Sequence, residues 1–378
     1  RAAEAAAAAA AGASPPGHCG RVLLLVRHGQ CCHEDETDEM KELTATGHRQ
    51  AEQTAQHVAA LFAAGSLPVQ RALLHSTSRR ARETAAKLPQ HLPGIQVWNA
   101  DLLRETDPTN NPLRAEEVFM LLFAAPPAGT SETLIVVAHN NINLYLLMRA
   151  AGVPVDHAVQ AWRLFVLRHA SVTRIDVTPS GAKQIVSIGA CGHIPHPMVT
   201  WSNVVGADLT AFTGEGPARK KFHGRMLVLV CRAAASEGVA RQIEAAAAHV
   251  KGLSGYMVSG HASVVSTEDS QPTAAGIGRQ LRAPVQLLPS SIAAHPEAGY
   301  LQFFTPPTQH SRDTVVMVAE DAPVLYWLLR ALGHAPEEAK ATAGSYSIRS
   351  ASVTLVNVRP DGSTKVVTVG DTGHLPLD

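Results

Sequence analysis

The sequence has no surplus of either charge: Lys and Arg number 32, Asp and Glu 32, in 378 residues. A balanced chain has no overall field to draw in nucleic acid or an anionic membrane surface, although a local cationic pocket is compatible with it. Long apolar runs are missing as well. No stretch of about 18 strongly apolar residues occurs, so the pattern contains no membrane-spanning helix. The opening "RAAEAAAAAAAGASPPGHCG" is no exception. Alanine is too weakly apolar for a span, and it is a good helix former that Pro15, Pro16 and Gly17 bring to a stop. Cysteine is scarce: there are five, none in a Cys-x-x-Cys frame. The adjacent Cys31 and Cys32 suit neither an ordinary disulfide nor a spaced metal site. The expectation is reduced thiols in a reducing compartment, with no metal and no cofactor. The chain opens on Arg1 rather than Met, as after removal of a presequence or a trimming.

What is present is a globular composition, 46% hydrophobic and 17% charged, in a chain long enough for two or more domains. It is also written twice. "RVLLLVRHGQ" at Arg21–Gln30 returns as "RMLVLVCRAA" at Arg225–Ala234. "VVAHNNINLYLLMRAAG" from Val136 returns as "MVAEDAPVLYWLLRALG" from Met317, and "ASVTRIDVTPSGAKQIVSIGACGHIP" from Ala170 as "ASVTLVNVRPDGSTKVVTVGDTGHLP" from Ala351. The last two pairs share one offset, so several blocks recur in the same order. That indicates a duplicated domain and not a short-period solenoid. The expected organisation is an Ala-rich tail at 1–20, a first domain at 21–200, a polar, Gly-rich linker at 201–224 and a second domain at 225–378.

Within the first copy, continuous apolar runs at Arg21–Val26, Ala72–Leu74 and Thr133–Val137 suit strands buried on both faces. Helical spacing covers Gly47–Phe62, Ser78–Leu88 and Asn141–Ala151, the last ended by Gly152. Val166–Val177 and Ala182–Ile188 read as a late strand pair, and Ala124–Thr133 as a loop. Strands alternating with helices predict an α/β fold with a mostly parallel sheet flanked by helices in each domain.

Open α/β sheets bind ligands beyond the carboxyl ends of their strands. Three such ends carry useful residues: Arg27-His28, "HSTSRRARET" at His75–Thr84, and "AHNN" at Ala138–Asn141. Two histidines and several arginines can converge on one small anion. The chemistry this suits is phosphoryl transfer through histidine. A neutral imidazole attacks phosphorus, arginines hold the equatorial oxygens, and a carboxylic acid protonates the leaving group. No metal is required. Arg79 and Arg82, which flank Arg80 on one helix, are expected to point away into solvent.

The blocks "VRHG", "LTATGHRQA" at Leu43–Ala51, "SRRARET" and "AH", in that order, resemble the histidine phosphatase superfamily with its phosphoglycerate-mutase-like fold. The likeness covers Arg21 to about Pro195. A closer likeness is to the mitochondrial Ser/Thr protein phosphatases of that superfamily, whose motifs "DLLRE" at Asp101–Glu105 and "GDTGHLP" at Gly370–Pro376 resemble. The resemblance implies His28 as the phosphoacceptor nucleophile, Arg27, Arg80 and His139 as the phosphate pocket, and Glu105 as the acid. Mutases of the superfamily carry a Trp-Asn pair soon after Arg-His-Gly. "QCCHEDE" lacks it, which favours a phosphatase. The chain departs from the pattern at Ala138, where Gly or Cys is usual, and at Leu144, where Arg is frequent.

In the second copy Arg27 becomes Cys231, His28 becomes Arg232 and His139 becomes Glu320, with Asp269 opposite Arg80. The nucleophile is gone and acid stands in a cationic pocket, so this copy is expected to be catalytically dead. Two readings follow. One is a phosphomonoester hydrolase, acting on a phosphorylated protein or a small phosphomonoester. The other is a non-catalytic accessory subunit of a large mitochondrial complex, held through the second domain and the N-terminal tail.

Overall fold

A computed structural model describes residues 20–376 apart from 33–36, 38–40, 106–110, 162–164, 166, 201–223, 235–237, 258–261, 290–291, 293–294 and 309–312. The Ala-rich tail and nearly all of the expected linker lie outside the described residues. The first half contributes strands β1 (Gly20–Arg27), β2 (Gln70–Ser76), β3 (Gln96–Ala100), β4 (Ser131–Ala138), β5 (Val172–Val177) and β6 (Lys183–Ala190). The second contributes β7 (Arg225–Cys231), β8 (Ala262–Ser266), β9 (Val285–Leu287), β10 (Thr314–Ala319), β11 (Val353–Val358) and β12 (Thr364–Asp371). All twelve form one sheet in the order β3-β2-β4-β1-β5-β6-β12-β11-β7-β10-β8-β9. Read outward from the β6–β12 contact, the two halves run in the same strand order. In each, four strands are parallel and the last two form an antiparallel hairpin.

The helices that matter for the site are α1 (Ala45–Ala63), α2 (Arg79–Ala85), α3 (Pro112–Leu122) and α4 (Asn140–Ala150) in the first half. Their counterparts in the second are α5 (Val239–Met257), α6 (Gln271–Leu281), α7 (Pro296–Phe303) and α8 (Asp321–Ala331). The unbroken apolar run of β1 is used on both faces. Leu23 and Leu25 pack among α3 and α4 residues, while Val22, Leu24 and Val26 pack with Ala55, Val58, Ala81 and Ala85 of α1 and α2. Successive strand side chains point to opposite faces, so a strand covered by helices on both sides must be apolar throughout.

The expected strands and helices occur with shifted ends. The helix expected over Ser78–Leu88 is two, since α2 stops at Ala85 and a short helix restarts at Leu88 with a proline in its first turn. The late strand begins at Val172 and not Val166, because Ala170 adopts a left-handed φ of 55° that extended pairing does not allow. The stretch expected to be loop already contains the start of β4 at Ser131. β3 and α3 had no counterpart in the sequence reading. β3 is an edge strand and mostly exposed, so it carries no buried apolar face to betray it.

Local interactions also repeat. Arg149 pairs with Glu116 at 2.8 Å, and the Tyr145 hydroxyl donates to the same carboxylate. Arg330, Glu297 and Tyr326 make the same triad in the second half. Ala170 and Ala351 share the same left-handed turn, with φ of 55° and 56°.

The halves meet where β6 pairs with β12 at Ile188 and Val369. One carboxylate fastens this contact. Asp371 is fully buried and accepts backbone N–H bonds from Cys191 and Gly192 across the junction (2.9 and 3.0 Å) and from Gly373 of its own turn (2.9 Å). Around it stack His249 on His374, with ring centroids 4.3 Å apart, and His57 on His193, 4.5 Å apart. Ligand atoms of His249, Asp371 and His374 lie within 4.8 Å of one another. The two rings are parallel within 7°, however, so their in-plane lone pairs do not converge on one ion as they stand. Burial raises the Asp371 carboxyl, but His249, His374, Arg168 and the Cys191 N–H outweigh it and hold the group below the usual carboxylate range. Burial lowers His193 and His249 well below ordinary histidine and His57 to about 4.

Two glycines lock the turn after β1 onto α1. A Cβ on Gly47 would lie 2.0 Å from the Gln30 carbonyl oxygen, and one on Gly29 would lie 2.5 Å from the Gly47 carbonyl oxygen. Thr44 caps α1 by accepting from the Gly47 N–H at 2.9 Å. A Gly47→Ala variant should therefore lose at least about 2 kcal/mol in urea unfolding, since backbone and not a mobile side chain must yield. Acid should weaken the junction. Below pH 6.5 the unfolded chain takes up protons that the folded His193, His249 and His57 refuse. Their contribution is thus present above pH 6.5 and lost as pH falls, by up to about 1.4 kcal/mol per histidine per pH unit. Urea midpoints measured from pH 7.5 to 5.5 should fall, and His249→Gln should flatten the slope. Asp371 adds the same sign only below about pH 4, where the unfolded carboxyl protonates.

Candidate active site

The site follows from strand order. β4 lies between β1 and β2, in parallel with both, and Arg27 stands opposite Ala138. The residues that follow each strand therefore emerge side by side at one edge: His28 after β1, His139 after β4, and Ser76 at the end of β2 with α2 just beyond. The His28 backbone N–H donates to the Ala138 carbonyl at 3.0 Å, which prolongs the pairing into the site. His28, Arg27, Arg80 and His139 are all buried there.

His28 has a defined tautomer. Its Nδ1 lies 2.7 Å from the Gly29 carbonyl, which only accepts, so Nδ1 carries the proton. Nε2 then holds the lone pair, and it accepts from Arg80 Nε at 3.1 Å. The His28 pKa is well below the ordinary value, mainly through burial and further through His139, Arg27, Arg80 and His169. The imidazole is neutral at pH 7. Burial also brings the Arg27 guanidinium down to about 10, so it remains a cation. His139 sits on the other side, its ring centroid 5.2 Å from that of His28, with Nε2 2.8 Å from the Ser76 hydroxyl. Glu105 reaches the same edge, where its carboxylate accepts from the Asn141 N–H in the first turn of α4 at 3.2 Å and interacts with the Arg27 charge. An anion is stabilised at such a helix start. Thr84 of α2 ties the parts together, accepting from the Gly29 N–H at 3.0 Å and donating to the Arg80 carbonyl at 2.8 Å.

The structure thus brings together all five first-half residues named from the sequence: Arg27, His28, Arg80, Glu105 and His139. Arg82 is exposed, as expected, but Arg79 is engaged in ion pairs with Glu42 and Glu83. His75 turns aside, its Nδ1 directed to the Ser76 carbonyl. Sequence reasoning missed Ser76, Thr84 and above all His169. The His169 ring is buried, 5.7 Å from His28, with Nε2 2.9 Å from Arg27 Nη2. It lies on the segment leading into β5, remote from the strand-end motifs. Its one signal is that it precedes the repeated "ASVT", where the second half has Ser350.

At the matching edge of the second half the chemistry differs. Cys231 is buried and its thiol is pushed up to about 12, chiefly by burial. Arg232 is exposed, with Nε 3.9 Å from Glu320. The Glu320 carboxylate accepts from the hydroxyls of Thr267 and Ser270 at 3.1 and 3.2 Å. Asp269, aligned with Arg80 in sequence, is exposed.

Residues 23–110 match the family described as "Histidine phosphatase superfamily (branch 1)". The chain is similar to the mitochondrial serine/threonine-protein phosphatase PGAM5 of Xenopus laevis, 28% identical over 193 residues, which is 46% of this chain and 67% of that protein. It is 27% identical to the human PGAM5 phosphatase over 201 residues, 48% of this chain and 66% of that one. The chain therefore spans about two thirds of these relatives' length. Among solved structures, a phosphoglycerate mutase from Plasmodium falciparum superposes with 21% identity and a TM-score of 0.35, covering 45% of this chain and 91% of that one. A mycobacterial glucosyl-3-phosphoglycerate phosphatase in complex with inorganic phosphate superposes with 20% identity and a TM-score of 0.36, covering 46% and 99%. The Arg-His-Gly turn and Arg80 of the site lie within residues 23–110, the stretch of this chain that matches the histidine phosphatase superfamily.

Proposed function

We propose that the chain is a phosphomonoester hydrolase that works through a phosphohistidine on His28, with turnover confined to the first half (residues 21–200). The observation that carries this reading is the state of His28. It is neutral, it is held with its proton on Nδ1, and its Nε2 lone pair faces a buried arginine. A phosphate oxygen can take over the Arg80 donor now directed at Nε2, which places phosphorus before the lone pair. In the first step Nε2 attacks phosphorus, the ester P–O bond breaks, and the Glu105 carboxyl, which the bound phosphate dianion beside it drives to take up a proton, gives that proton to the leaving oxygen. Arg27, Arg80 and His139 stabilise the equatorial oxygens. In the second step the Glu105 carboxylate takes a proton from water. The resulting oxygen attacks phosphorus, the N–P bond breaks, and inorganic phosphate leaves with His28 neutral again.

The similarity to mitochondrial Ser/Thr phosphatases supports a phosphorylated protein as substrate and a mitochondrial location. A small phosphomonoester fits the same pocket chemistry. The second half (residues 225–378) has Arg232 and Glu320 where the first has His28 and His139, and the Glu320 carboxylate repels phosphate. In this reading it serves as a structural platform. A second reading, a non-catalytic subunit of a larger mitochondrial assembly, draws on the same replacement of the site beside an intact core. Native-size measurement of the endogenous protein tests it, because a free chain or dimer would count against it.

Wild type should hydrolyse p-nitrophenyl phosphate without added metal, and His28→Ala should show only the blank rate. Alkaline-quenched mass spectrometry should find the phosphoryl group on His28. A metal-free wild type no faster than His28→Ala would sink the proposal. Arg80→Ala should cost about 10²–10³ in kcat, the usual scale for losing one charge-stabilising donor. Since the nucleophile is the neutral imidazole and its pKa is depressed, the acid limb of kcat/KM due to His28 should lie below pH 6.5.

A further inference from the structure

We infer that His169 is a positioning residue for phosphate binding, holding the Arg27 guanidinium at the working end of β1 through a fixed imidazole tautomer. The inference rests on the proposed phosphate pocket but concerns a residue that pocket does not include. Arg27 is buried, and a buried guanidinium must place its donors on acceptors. Two of them go to one short segment: Nη1 to the Leu167 carbonyl at 2.5 Å and Nη2 to His169 Nε2 at 2.9 Å. A guanidinium can only donate, so His169 Nε2 must be the acceptor and the proton sits on Nδ1. Nδ1 in turn lies 2.9 Å from the Thr200 hydroxyl, which also receives Gln50 Nε2 at 2.8 Å. Gln50 closes the chain by accepting from the Gln30 N–H, in the same turn as His28. One line of hydrogen bonds thus runs from Arg27 through His169, Thr200 and Gln50 back to the turn beside the nucleophile.

The backbone is arranged for this contact. Ala170 takes its left-handed φ of 55° and donates to the His28 carbonyl at 3.2 Å, while the Arg27 N–H donates to the Ser171 carbonyl. The segment therefore wraps the end of β1 with the imidazole turned inward. The second half supplies an internal control. It keeps the same left-handed alanine, Ala351, yet where Arg27 gives way to Cys231, His169 gives way to Ser350. The Ser350 hydroxyl bonds to backbone at Arg232 and Ala234 instead. The imidazole is present where the guanidinium is present and absent where it is absent, although the turn is the same. A histidine needed only to pack that turn would have no reason to follow the arginine.

The test compares His169→Leu, which removes the acceptor, with His169→Gln, whose Oε1 can reach Arg27. Affinity for inorganic phosphate is measured by calorimetry, kcat and KM with p-nitrophenyl phosphate, and folding by urea denaturation. His169→Leu should weaken phosphate binding and lower kcat/KM by about ten- to a hundredfold, the range for removing one partner of a charged hydrogen bond. His169→Gln should recover most of that loss. Equal losses in both variants, or a folded His169→Leu protein with wild-type affinity and kcat/KM, would overturn the assignment. Nitrogen-15 histidine spectra, as the difference between wild type and His169→Gln, test the tautomer without any substrate. A neutral ring protonated on Nδ1 is expected, and a proton on Nε2 would overturn the inference. Should wild type neither bind phosphate nor hydrolyse the ester, the phosphatase proposal fails by itself, and the tautomer still decides whether His169 holds Arg27.

Discussion

The parallel pairing of β4 with both β1 and β2 is the constraint on which the rest of the first half depends. It sets Arg27 beside Ala138 and brings three strand ends to one edge. Residues more than a hundred positions apart then share a single buried volume. Burial does the chemical tuning. It keeps His28 neutral and leaves its Nε2 lone pair available, and it makes the arginine donors worth more than they would be in water. The cost of burying cations is met by fixed partners: the Leu167 carbonyl and His169 for Arg27, and His28 itself for Arg80.

The second half shows how little of this edge is required by the fold. The strand order, the Arg–Glu–Tyr triad and the left-handed alanine recur, because each satisfies packing or backbone demands that any such sheet must meet. The strand-end side chains do not recur. A buried thiol, an exposed arginine and a carboxylate bonded to hydroxyls fill the same place without strain on the core. Packing and chemistry are separable here because the core lies between the helices and the sheet faces, while the site lies beyond the strand ends.

The halves are nonetheless not independent. Asp371 reaches across the junction to backbone donors at Cys191 and Gly192, a contact whose counterpart in the first half is lost because Ala190 stands there. The surrounding histidines are neutral because they are buried, so the junction is strongest at neutral pH. The half that carries Arg232 and Glu320 beyond its strand ends is thereby fastened to the half that carries His28 and His139.

Much was legible from residue order alone. Continuous apolar runs mark strands covered on both faces, and the polar residues that end them mark the site, since only there can the chain afford to leave the core. Arg27, His28 and His139 were found in this way, whereas Arg80 and Glu105 were singled out by the resemblance of "SRRARET" and "DLLRE" to the histidine phosphatase superfamily. β3 was not, because an exposed edge strand carries no buried apolar face, and α3 was not, because its apolar run, Val118–Ala125, is short and continuous and so shows no helical spacing. His169 was not, because its meaning lies in a hydrogen bond to a residue 142 positions away. The junction histidines were not, because nothing in the linear order says that His57, His193, His249 and His374 surround one carboxylate. The sequence by itself marked the buried strands, most of the helices beside the site and the strand ends that carry chemistry. Only the tertiary structure decided which donors face which acceptors, because tautomer, burial and pKa are set by neighbours that the linear order does not specify.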